Sequence, residues 1–352
     1  MTAPAASFPL RASTFATFTV ASFAVLVAGC RATVPAPAVT GPVLEVGDAR
    51  YEWIEDWPVY PDGFELGNTH GGIVVASDGR ILFNTDREHA VVVVGPNGDV
   101  VDEWGSELAG GLHGMVLASE PDDAGAWREV LYLVHTGRSE LIKATLDGEI
   151  LWRRGWPEES GLYENANQFN PTAIDVAPDG TIYVADGYGF QWVHLFAPDG
   201  RYLESFGGPG TDDGQFRTCH GLAIDASGEE PELWVADREN GRLQVFGLGG
   251  QHLRTVRDHF RRPCSVVRGP DGQRVVADLA GRVTLLHENG SLIGHLGDQP
   301  DEAKRANNGV PPEEWIDGEF VAPHFATFDE DGNIYVLDWV SAGRVTKLRR
   351  MR

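Results

Sequence analysis

Short apolar runs joined by glycine-containing turns recur along the chain in a fixed order. Asn170-Pro171-Thr172-Ala173-Ile174-Asp175 and Thr181 to Tyr188 flank Asp179-Gly180; fifty residues on, His220-Gly221-Leu222-Ala223-Ile224-Asp225 and Glu232 to Arg238 flank Ser227-Gly228. Short β-rich runs bounded by such turns predict hairpins. A period of about fifty residues, repeated over this length, predicts a β-propeller.

Further starts of the same kind occur at His70-Gly71-Gly72-Ile73, His113-Gly114-Met115, Pro263-Cys264-Ser265 and Pro323-His324-Phe325. With the first two they make six blades of three or four strands each. Tyr51 to Trp57 alternates aromatic and acidic residues and has no preceding partner, so it is expected as an outer strand donated to the last blade, closing the ring. The fold class is therefore all-β, a six-bladed β-propeller. Gln299 to Glu319 is too long and polar for a blade turn and is expected as a surface loop near the channel mouth.

The N-terminal residues carry a different pattern. Arg11 precedes an apolar stretch from Phe15 to Ala28, which reads as a secretory signal rather than a membrane span, and Val27-Ala28-Gly29-Cys30 resembles a bacterial lipobox. The expected organisation is a lipoprotein-type signal peptide over 1–29, a lipid-modified Cys30 with a Pro/Ala-rich tether over 30–50, and the propeller over 51–352. The protein would then be exported and membrane-anchored, on the periplasmic or cell-surface side, and monomeric. A formal charge of −24 argues against a nucleic-acid partner and leaves the lipid anchor as the membrane contact. Apart from Cys30 the chain has Cys219 and Cys264, too few for a disulfide scaffold; the two could pair or stay apart.

Aligning the first residue of each innermost strand, with the following apolar pair as register, gives His70, His113, Asn170, His220, Cys264 and His324. Innermost strands line the central channel, so these side chains should converge. His113, His220 and His324 come from alternate blades, and three imidazoles about a pseudo-three-fold axis suit Zn²⁺ with one coordination position open. Cys264 reads first as a small packing residue. His70 could be a further ligand, a supporting group or a gate. The plainer alternative is that the histidines only line a wet channel.

The blades resemble NHL-type repeats, and Asn170 to Phe246 resembles the catalytic core of the peptidyl-α-hydroxyglycine α-amidating lyase family. The matches are Pro171-Thr172, Thr181 to Tyr188, Gly214-Gln215-Phe216, His220 and Val235-Ala236-Asp237-Arg238-Glu239-Asn240-Gly241-Arg242, with Leu112-His113-Gly114 and Pro323-His324 consistent in register. The resemblance implies zinc held by His113, His220 and His324, Tyr188 as base and Arg238 on the substrate; Arg87 lies near, but displaced from, the place of a second family arginine. It further implies cleavage of an N-acyl-α-hydroxyglycine-type carbinolamide, a small peptide-like substrate, to an amide and glyoxylate. Two departures stand out. Phe325 follows His324 where the family has an acid associated with structural calcium, which removes a Ca²⁺ ligand, and Asn170 and Gly189 stand where the family has a disulfide beside the tyrosine. The alternative is a non-catalytic, surface-tethered propeller that binds a peptide, glycan or protein, for which a three-histidine metal site would be superfluous.

Overall fold

The computed structural model describes residues 39–122 and 124–352; the expected signal peptide, Cys30 and the tether up to residue 38 lie outside the described residues. Among the described residues, strands form six antiparallel sheets. The first blade contains Ile73–Val75, Ile81–Asn84, Val91–Val94 and Val100–Trp104, and the second Leu112–Pro121, Trp127–His135, Glu140–Thr145 and Ile150–Arg154. The third contains Ala173–Val176, Ile182–Ala185, Trp192–Phe196 and Tyr202–Gly207, and the fourth Cys219–Asp225, Glu232–Asp237, Arg242–Gly247 and His252–Val256. The fifth contains Pro263–Arg268, Arg274–Asp278, Arg282–Leu286 and Leu292–Leu296. The architecture is the expected six-bladed propeller.

The strand sequences explain why the blades stack. Val91–Val94 and Ile182–Ala185 are buried at every position, as strands covered on both faces must be. Clusters of buried residues therefore lie between neighbouring blades: Ala173, Tyr183 and Val193 of the third pack with Leu222, Leu233 and Val235 of the fourth. Close approach on the axis needs glycine. A Cβ on Gly221 would lie 2.2 Å from the carbonyl oxygen of Cys264 in the next blade.

The last blade joins both ends of the described chain. Its sheet runs Val43–Val46, Ala49–Ile54, Arg344–Met351, Ile334–Asp338, Pro323–Phe328, with Trp53 opposite Leu348. The expected closing strand is present, and a further strand precedes it. Sheet structure thus starts at Val43 rather than at Tyr51, because Gly47 at φ 54° turns the chain back between Val46 and Ala49. The long segment before blade six has one short 3₁₀ turn, Pro312–Glu314. It is tied down where Ser341 N–H donates to Asn308 O (2.9 Å) and Ala306 N–H to Val321 O (3.0 Å). Its Val310 is buried with Cys264, Leu279 and Val340.

Candidate metal centre

The innermost strands carry an irregularity that sets the site. In blade four Cys219 pairs with Asp237 and Gly221 with Ala236, so His220 is an extra residue bulged toward the axis. Cys264 occupies the same place between Pro263, opposite Asp278, and Ser265, opposite Ala277; His324 does so between Pro323, opposite Asp338, and Phe325, opposite Leu337. His113 falls within the corresponding irregularity of blade two. Bulges re-aim side chains in this way.

Counting back from the paired residues corrects one expectation and widens another. In blade one Gly72 O accepts from Asn84 N–H and Ile73 pairs with Phe83, while Asp86 N–H donates to Asn68 O, so His70 and Gly71 both lie within the irregularity. In blade three Thr172 N–H donates to Ala185 O while Ala173 pairs with Ala185, so the bulge position is Thr172, not Asn170. The ring therefore holds His70 with Gly71, then His113, Thr172, His220, Cys264 and His324. Asn170 acts through its backbone instead: its N–H donates to Asp186 Oδ1 (2.7 Å) and its carbonyl accepts from Tyr188 N–H (3.2 Å).

The three alternate-blade histidines do converge. Ring centroids of His113, His220 and His324 lie 4.9, 4.9 and 4.7 Å apart, and all three side chains are buried. His113 Nδ1 lies 2.6 Å from Thr172 O and His220 Nδ1 2.9 Å from Cys264 O, each the carbonyl of the equivalent residue in the next blade. A carbonyl only accepts, so each Nδ1 carries the proton and each Nε2 keeps its lone pair. Such a hydrogen bond fixes the tautomer of a metal-ligating imidazole.

The unpaired atoms fit a cation. His113 Nε2 is buried with no hydrogen-bond partner, and His220 Nε2 faces His324 Nε2 at 3.1 Å. Two nitrogens on a tetrahedral zinc, each at about 2.0–2.1 Å, would lie about 3.3–3.4 Å apart. Burial holds the pKa of all three well below the usual histidine value, which keeps them in the neutral form that ligation needs. The residues present therefore suit a histidine-bound metal ion: donor atoms of His70, His113 and His324 lie within 4.8 Å of one another, as do those of His220, Cys264 and His324.

His70 enters from the blade-one side, its ring centroid 4.7 Å from that of His113 and 4.5 Å from that of His324. Burial, reinforced by the charge of Arg238, lowers its pKa to about 4. Trp339 packs beside it at 5.4 Å. Cys264 is buried, and its Sγ lies within 4.8 Å of donor atoms on His220 and His324; burial pushes its thiol up to about 12. Cys219 and Cys264 are both free thiols.

Tyr188 and Arg238 stand at the mouth. The Tyr188 oxygen lies 3.0 Å from His220 Nε2 and 3.4 Å from His70 Nε2, and Arg238 Nη1 donates to it at 3.2 Å. Burial raises the phenol's pKa, while the Arg238 guanidinium acts the other way. Arg238 is itself oriented by Glu239, which accepts from its Nε at 3.0 Å and from Arg262 Nη2 at 2.6 Å. Arg262 is thus a second cation at this mouth that the sequence reading passed over. Arg87 is not brought to the histidines: it is half exposed and paired with Glu65 at 3.7 Å, because its side chain folds over Gly67 toward the adjacent acids.

A cleft of about 450 Å³ opens from the histidines between blades one and two, lined by Asn68, His70, Asp86, His113 and Tyr188 with Gly110 and Gly111. A larger one, about 800 Å³, lies where the inner strand of blade four ends, between blades four and five. Its principal charges are already paired, Arg274 with Asp225 and Arg254 with Glu232, so the smaller cleft is the better candidate site.

The NHL repeat family matches residues 216–246, the part of blade four that carries His220 and Arg238. The chain is 28% identical over 250 residues to human NHL repeat-containing protein 3, covering 69% of this chain and 70% of that protein. It is 27% identical over 265 residues to mouse peptidyl-glycine alpha-amidating monooxygenase, 72% of this chain but 25% of that protein. A probable peptidyl-alpha-hydroxyglycine alpha-amidating lyase of Caenorhabditis elegans is 27% identical over 178 residues, 47% of each chain. Among solved structures, streptogramin B lyase superposes with a TM-score of 0.57 at 12% identity, covering 87% of this chain and 100% of that one; this likeness concerns the fold alone. The chain is thus a six-bladed β-propeller with an NHL repeat, homologous to NHL repeat-containing proteins and to the peptidylglycine α-amidating enzymes.

Proposed function

We propose that the protein is a zinc-dependent carbon–nitrogen lyase that splits an N-acyl-α-hydroxyglycine into an amide and glyoxylate. The observation that carries this reading is the meeting of Tyr188 with both His220 and Arg238 at the opening of the histidine triangle. Zinc held by His113, His220 and His324 would supply Lewis acidity at that opening.

The chain's own groups divide the rest of the work. Arg238 binds the substrate carboxylate, with Arg262 beside it, and so sets the α-carbon against Tyr188. Tyr188, as phenolate, takes the proton of the α-hydroxyl; the O–H electron pair forms the aldehyde C=O, the C–N pair moves to nitrogen, and that nitrogen takes up a proton. Substrate and products balance without an oxidant. A phenol with an ordinary pKa of about 10 is a weak base near neutrality; Arg238 favours its ionised form. The acyl group lies in the cleft between blades one and two.

The test is product analysis of zinc-loaded protein given a simple N-acyl-α-hydroxyglycine. Equimolar amide and glyoxylate support the reading; zinc bound without either product rejects this substrate. A binding role remains the second reading, favoured by the broad match to a relative named for its repeat alone. Under either reading we infer an exported protein anchored through Cys30; no described helix is long and apolar enough to cross a membrane.

A further inference from the structure

Blade three departs from blades four, five and six at the turn that carries Tyr188. In blades four, five and six the residue before the third strand is a glycine in the left-handed region, Gly241 (φ 60°), Gly281 (φ 80°) and Gly343 (φ 75°). The residue after it is an arginine paired with the acid that ends the second strand: Arg242 with Asp237, Arg282 with Asp278, Arg344 with Asp338. Blade three has Gln191 and Trp192 at these places, and Gln191 adopts the same conformation at φ 67°. A side chain with a Cβ is disfavoured there.

The Gln191 amide uses its full hydrogen-bonding capacity. Nε2 donates to Gly187 O (3.1 Å) and Gly189 O (3.0 Å), the two carbonyls flanking Tyr188. Oε1 accepts from Thr218 N–H (2.6 Å) and Cys219 N–H (3.2 Å), the two residues that precede His220. One side chain thus joins the backbone on both sides of Tyr188 to the strand that presents His220. Asp186, lacking an arginine, accepts instead from Tyr163 Oη (2.7 Å) and Phe190 N–H (2.6 Å), so the turn is held inside by Asp186 and across the blade gap by Gln191.

We propose that Gln191 is a positioning residue that sets the separation of Tyr188 from His220, an inference that rests on the lyase reading of the same site. The pair is connected covalently only through the long path around the outer strands of blade three, whereas Gln191 connects them directly. Misplacement by about 1 Å can cost on the order of 100-fold in rate.

The test uses the full-length, zinc-loaded protein and two variants, Gln191→Met, which loses both halves of the bridge, and Gln191→Glu, which keeps the acceptor toward Thr218 and Cys219 but loses the donor toward Gly187 and Gly189. Both should lower kcat for an N-acyl-α-hydroxyglycine by about 10- to 100-fold, with KM within about twofold and bound zinc unchanged. Ultraviolet difference titration against Tyr188→Phe should show the phenol's ionisation moved by about half a pH unit or more in Gln191→Met. Unchanged kcat and an unmoved phenol in both variants overturn the proposal, as does a loss of kcat that follows loss of zinc. If the parent protein releases no glyoxylate, the lyase reading fails on its own, and the phenol titration alone supports or overturns the bridge.

Discussion

The Tyr188 oxygen lies 3.0 Å from Nε2 of His220, although the two residues belong to different blades and stand 32 positions apart. This contact joins the proposed base to the proposed metal ligand, and it gives the site an asymmetry that the three histidines alone lack. His113 and His220 are each oriented by a carbonyl of the next blade; Tyr188 adds a proton-transfer group on one side only.

Tyr188→Phe removes the phenol oxygen and keeps the ring packing against His70 and His113. It should lower kcat by about 10²–10⁴-fold with bound zinc unchanged, measured by steady-state kinetics together with metal analysis. A variant that keeps full kcat would remove Tyr188 from the chemistry.

Arg238→Ala should act mainly on KM. A charge-assisted hydrogen bond to a carboxylate contributes about 1.5–3 kcal/mol, or about 10- to 150-fold. Kinetics with the substrate and with its uncharged methyl ester separate the cases: the variant's deficit should largely vanish with the ester.

Much of this arrangement was legible in the sequence, and the errors have one cause. His113, His220 and His324 are followed by short runs that pair regularly, so their alternation around the ring could be read directly. Asn170 was misplaced because a bulge sets two residues of one strand against one of its partner, and the spacing of apolar residues does not reveal which one is extra; in blade one the irregularity takes in both His70 and Gly71. Arg87 failed for a different reason: position in a loop does not fix where a long side chain turns, and Glu65 is within its reach. Gln191 did carry a signal, a glutamine before the third strand where blades four, five and six have glycine. Its meaning required the left-handed backbone and the four hydrogen bonds.

Asp175 offers a test of packing away from the site. Its carboxylate accepts Ile224 N–H of the neighbouring blade at 2.7 Å and Val176 N–H at 2.7 Å, yet burial outweighs these donors and raises its pKa to about 6. The unfolded value is about 3.9, so protonation favours the fold, fully below about pH 4, and this contribution is lost as pH rises through about 6. Denaturant unfolding of wild type and Asp175→Asn across that window should show the difference in stability changing with pH, with the parent losing ground as pH rises. A difference independent of pH would contradict the assignment.

The free thiols give a further check. Cys219 and Cys264 are buried, and burial raises both pKa values, which suppresses the reactive thiolate. Native protein should react slowly with a thiol reagent at these two positions and promptly once unfolded, as peptide mapping would report.

The decisive measurement is glyoxylate release by chelator-stripped protein as zinc is returned. Release should be absent without metal, rise to a plateau at one equivalent of zinc, and remain absent in His220→Ala at the same zinc concentration. Full turnover by the stripped protein, or undiminished zinc-dependent turnover in His220→Ala, would contradict a lyase built on the histidine triangle.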